Sequence, residues 1–183
     1  MKLYKNVDIK DLKSIMENGV LSLDECGNDN WEEGKRANNP TDVVYLFVPS
    51  DGKQNSFTQY GAALLEIETD AREFQMREND GNRGNYTEYV CNKVDPDEIK
   101  RIYIPGILKD AAEEYVDDNM PVVWCDMMAN IYNEFGKIEC DANTLQRWAD
   151  TAHVVTTRSF NFFRGVTEKN EMIDLYDIRY VID

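Results

Sequence analysis

Val43-Val44-Tyr45-Leu46-Phe47-Val48, closed by Pro49, Asp51 and Gly52, is the stretch on which the fold turns. Side chains branched at Cβ and aromatic rings pack well on a pleated surface, and the proline removes a ladder donor. The run predicts a buried strand followed by a turn. Working back from it, residues 24–41 are polar and rich in Asn, Gly and acids, with Trp31 as the one large anchor. They predict a long loop, in which Trp31 either pins the loop to the core or closes over a ligand. Before that loop, Ile9, Leu12, Ile15 and Met16 recur at helical spacing behind Asp8, a capping residue. Gly19 is placed to end the helix in a left-handed turn. Short strands are expected on either side of it, at Leu3-Tyr4 and at Val20-Leu21-Ser22-Leu23.

Working forward, residues 56–60 predict a short helix, and Gly61 opens an aliphatic strand over 62–68 with its acids on one face. Residues 70–85, with Gly81 and Gly84, read as an exposed hairpin or loop. Two further strands, 86–94 and 99–104, are joined by the Asp95-Pro96-Asp97 turn. From Pro105 the pattern reads as helices, over 107–116, 121–135 and 141–152, followed by strand-like runs at 154–163 and 172–182. The expected class is α+β, with residues 1–105 as the core and 106–183 as a helical extension with terminal strands packed on it.

The chain has 183 residues, 42% hydrophobic and 11% aromatic, enough apolar surface to offset the entropy of ordering it. Its net charge of -15 repels polyanions, which disfavours a role in coating nucleic acid. The same charge suits plain solubility, a basic partner protein, or mimicry of a nucleic acid. Cysteines stand at 26, 91, 125 and 140 with no C-x-x-C pair, and His153 is the only histidine, so no structural metal is expected. No apolar run approaches a membrane span and no apolar leader follows Met1, so a cytoplasmic protein with reduced thiols and no membrane contact is expected.

Taken in order, Leu3-Tyr4-Lys5-Asn6-Val7, the helix stopping at Asn18-Gly19, Val44-Tyr45-Leu46-Phe47, the segment from Phe57 to Gly61 with Ala63-Leu64-Leu65-Glu66-Ile67, and Glu88-Tyr89-Val90 with Ile99-Lys100-Arg101-Ile102-Tyr103-Ile104 resemble the ADP-ribosyltransferase superfamily. The resemblance covers residues 1–105. It implies two small antiparallel sheets around a cleft that takes NAD, and displacement at the nicotinamide-bearing ribose carbon. It further implies Glu88 as the catalytic carboxylate and NAD contacts at Tyr4, Lys5, Tyr45, Ser56 and Tyr60, with Tyr60 stacking on the nicotinamide. Lys5 stands where the family usually carries a His or Arg that fixes a ribose, and Val7 where a hydroxyl residue is common.

By themselves the residues allow other readings. Glu88 can be a charged residue on the exposed face of an edge strand, Tyr60 a core aromatic, Lys5 a solvated strand lysine, and Ser56 a helix-start decoration. Two functions follow: an NAD-dependent transferase acting on a basic protein, or an inactive acidic relative that blocks a basic, nucleic-acid-binding partner.

Overall fold

The computed structural model describes residues 1–27, 39–49, 61–74, 86–133, 136–140, 164–166, 172–174 and 176–182. Their strands are β1 (Lys2–Val7), β2 (Val44–Pro49), β3 (Ala63–Glu68), β4 (Arg72–Glu73), β5 (Tyr86–Cys91), β6 (Ile99–Pro105), β7 (Val122–Asn133), β8 (Gly136–Cys140), β9 (Arg164–Val166), β10 (Met172–Asp174) and β11 (Tyr176–Val181). Three short helices accompany them among the described residues: α1 (Leu12–Asn18), α2 (Leu23–Cys26) and α3 (Lys109–Ala112). The class is α+β. A mixed nine-stranded sheet runs in the order β11-β7-β6-β3-β1-β2-β5-β4, with β8 also on β7, and β9 and β10 form a separate two-stranded ribbon.

The chain divides into two compact units, one of Met1–Lys5, Ser14–Lys53 and Glu66–Lys100, the other of Asn6–Lys13, Gln54–Leu65 and Arg101–Asp183. In the first, β2 pairs antiparallel with β1 and, over its whole length, with β5. The strand expected at 43–48 is thus central to its unit, as its unbroken apolar character required. Leu3, Val44, Leu46, Ile67 and Val94 are buried there. Gly19 ends α1 at φ 82, and a Cβ on it would fall on the Val94 carbonyl oxygen. That close approach lets Val20 and Val94 exchange backbone hydrogen bonds at 2.8 and 3.1 Å. The strand expected at Val20–Leu23 shrinks to this single bridge. Ser22 then caps α2: its hydroxyl accepts from the Glu25 N–H while the Glu25 carboxylate accepts from the Ser22 N–H.

In the second unit β6 runs parallel to β7, Ile102 opposite Val122 through Pro105 opposite Cys125, and the crossover between them carries α3 and three-residue 3-10 turns. The N–H of Ile102 donates to the Pro121 carbonyl at 2.9 Å and starts the pairing. Ile9, Leu12, Leu64, Leu65, Ile104 and Leu108 form the core of this unit. Gly61 enters β3 at φ 125, its carbonyl accepting from Asn6 Nδ2, and the Tyr180 hydroxyl donates to the Ala62 carbonyl at 2.6 Å.

Two expectations are corrected here. Residues 121–135 were expected as a helix and most of them form β7. A continuous apolar run does not distinguish a buried strand from a buried helix, and the ladder with β6, together with those to β8 and β11, decides it. The helical extension accordingly reduces, among the described residues, to α3 and its flanking turns. The expected pair of small antiparallel sheets gives way to one mixed sheet, because β6 takes β7 as a parallel partner and so extends the ladder. The helix expected at 141–152 and the strand at 154–163 lie outside the described residues. No helix among the described residues is long and apolar enough to cross a membrane.

Candidate active site on strands β1, β2 and β5

Side chains alternate along a strand, so register decides which candidates share a face. Tyr4 of β1 lies opposite Phe47 of β2, and Phe47 opposite Glu88 of β5. On the far side of β5, Arg72 faces Val90, and the Phe74 N–H donates to the Glu88 carbonyl at 2.9 Å. Tyr4, Phe47 and Glu88 therefore form one row across three strands, which Phe74, just past β4, continues. Tyr45, Val90 and Arg72 form the next row, two residues along and on the same face. Ring contacts agree with this assignment: Tyr4 and Phe47 have centroids 6.1 Å apart, and Tyr45 meets Phe74 edge to face at 5.3 Å.

Lys5 is one residue from Tyr4 and so belongs to the opposite face, with Leu3, Val44 and Leu46. Its ammonium donates to the Tyr45 carbonyl at 3.1 Å. Cys91 shares that face. Burial, and then the Glu98 carboxylate, push its thiol above the ordinary range, while the Lys5 charge and the Lys93 N–H pull the other way. The structure thus brings Tyr4, Tyr45 and Glu88 together and does not bring Lys5 to them. Ser56 and Tyr60 lie outside the described residues.

Glu88 is 6% exposed and Tyr4 7%. Glu88 is a buried carboxylate rather than a charge on an open edge, since β4 covers the outer side of its strand. Burying a carboxylate costs several kcal/mol unless charge or hydrogen bonds compensate it. A second buried acid, Glu66 at 3% exposure, has its compensation in Lys2, whose ammonium lies 3.2 Å away. Phe47 and Phe74 are the functional candidates that sequence reasoning missed. Phe47 was legible, because the alternation of Val44-Tyr45-Leu46-Phe47 puts both rings on one face. Phe74 was not, because it joins the row only through the pairing of β4 with β5.

A carboxylate among rings on one face can hold a ribose hydroxyl, stabilise positive charge growing on an adjacent carbon and accept a proton. The rings suit a planar cationic heterocycle. Lys5, by contrast, lies on the opposite face, where its ammonium donates to the Tyr45 carbonyl. No group of three or more metal-ligating side chains occurs among the described residues. In comparisons with known proteins, no protein-family model matches the chain and no curated protein matches it.

Proposed function

We propose that the chain is an NAD-dependent ADP-ribosyltransferase that modifies a macromolecular target, a basic protein, with Glu88 as its catalytic carboxylate. The observation that carries this reading is the buried Glu88 in register with Phe47 and, through it, with Tyr4. NAD is the substrate. The bond between the ribose carbon and the pyridinium nitrogen breaks, its electron pair leaves with neutral nicotinamide, and the target nucleophile bonds to the carbon. Glu88 holds the ribose hydroxyl, stabilises the cationic carbon and takes the proton that the nucleophile loses. Tyr4 and Tyr45 line the same face as ring surfaces for the dinucleotide. The net charge of -15 favours a basic protein as acceptor and works against nucleic acid.

A second reading is favoured by Lys5, which the family pattern would use at the ribose and which here holds the Tyr45 carbonyl. On that reading the chain is an inactive acidic relative that occupies a basic, nucleic-acid-binding protein by mimicking its polyanion. NAD binding and nicotinamide release by the wild type and Glu88→Gln, with and without lysate as acceptor, separate the two. Glu88-dependent release supports the transferase. Neither binding nor release from a folded protein refutes it and leaves the inhibitor, whose partner complex should weaken sharply as salt screens exposed charges.

A further inference from the structure

Tyr45 stands on β2 and Phe74 just past the end of β4, with β5 between them, in rows two residues apart. Two strand spacings of about 4.8 Å and a rise of about 3.4 Å per residue put their backbones roughly 12 Å apart. Their ring centroids are nonetheless 5.3 Å apart, in an edge-to-face contact at 90°. Both side chains must lean across β5 to meet, and the residues of β5 beneath that meeting point are Glu88 and Val90, 6% and 1% exposed. The two halves of this span are held differently. The Tyr45 hydroxyl donates to the Pro40 carbonyl at 2.7 Å, which fixes its ring at the far end. Phe74 follows a two-residue edge strand, and its backbone N–H donates to the Glu88 carbonyl at 2.9 Å.

We infer that the Tyr45–Phe74 ring pair roofs Glu88 and determines access to it, with Phe74 as the moving half. A small or planar group enters when the Phe74 ring swings out, and water is kept from the carboxylate while the rings are in contact. For its catalytic meaning the inference rests on the transferase reading; the roof itself does not. In the transferase, the roof favours transfer to the target over hydrolysis of NAD, since it closes the reacting carbon to solvent.

The test is carbodiimide labelling of Glu88 with a small amine in the full-length protein, read by peptide mass spectrometry, with exposed Glu68 as the internal reference. Wild type and Phe74→Tyr, which both keep the ring, should label slowly. Phe74→Ala should label at least tenfold faster, and Phe74→Leu, which keeps apolar bulk should the alanine variant not fold, severalfold faster. Equal rates in folded wild type and Phe74→Leu or Phe74→Ala overturn the roof. Nicotinamide release is the second readout: in Phe74→Ala the nicotinamide released per target modified should rise. Accelerated labelling in a protein whose wild type releases no nicotinamide upholds the roof and refutes the transferase. Unchanged labelling beside Glu88-dependent release does the reverse.

Discussion

The two faces of β1, β2 and β5 are made from the same short segments, yet they do different work. One presents Leu3, Val44 and Leu46, aliphatic and almost wholly buried, and there the Lys5 ammonium donates to the Tyr45 carbonyl. The other presents Tyr4, Tyr45, Phe47 and Glu88, rings around a buried acid. The first face is what a domain needs in order to fold. The second places a buried carboxylate among aromatic rings.

The sharpest way to break this contrast is to neutralise the charge on each face in turn. Glu88→Gln should lower nicotinamide release on the order of a hundredfold to a thousandfold, as loss of a charge-stabilising group does, with the thermal midpoint held. Lys5→Met, on the other face, should leave release within about threefold of wild type. A collapse of activity in Lys5→Met would show that the face assignment is wrong. Among core residues, Leu46→Ala should cost about 2–5 kcal/mol in urea unfolding, because nothing fills the cavity. Phe47→Leu, in the next position of the same strand, should cost under about 1.5 kcal/mol yet raise the KM for NAD. Equal KM values would remove Phe47 from the site. Gly61→Ala should destabilise by more than about 1–2 kcal/mol: its backbone lies at φ 125 and the new Cβ would fall on the Val7 carbonyl oxygen.

The smallest effect is the one in alkali. Burial, and then Asp126, push the Cys125 thiol up to about 12, whereas an unfolded thiol ionises near 8.5. The folded chain keeps a proton that the unfolded chain gives up. Its contribution is complete below about pH 8.5 and is lost as pH rises toward 12. Urea midpoints should fall between pH 8 and pH 10.5, and Cys125→Ser should flatten that decline.

The strands that positioned the site were legible because their composition is unambiguous: Val43 to Val48 and Ala63 to Ile67 have few alternatives to a buried strand. Glu88 was legible by its place on a strand, and its burial was not, because that depends on β4, a two-residue element that nothing local announces. Lys5 was grouped with Tyr4 through the family resemblance, although neighbours on a strand point to opposite faces. β7 was misread because Trp124-Cys125-Asp126-Met127-Met128-Ala129 is as compatible with a helix as with a strand. Its state is decided by partners at Ile102–Pro105 and in β11, which local propensity does not contain. The capping box at Ser22 and Glu25 was readable, and the polar composition around it hid it.

The position of β1 in the sheet has a consequence for synthesis. Both of its partners, β2 and β3, are made after it. At roughly 5–20 residues per second, several seconds pass between the appearance of Leu3 and Tyr4 and the arrival of Ile67. During that time the strand that carries Leu3, Tyr4 and Val7 waits with both edges open, and refolding from denaturant should lose yield as protein concentration rises.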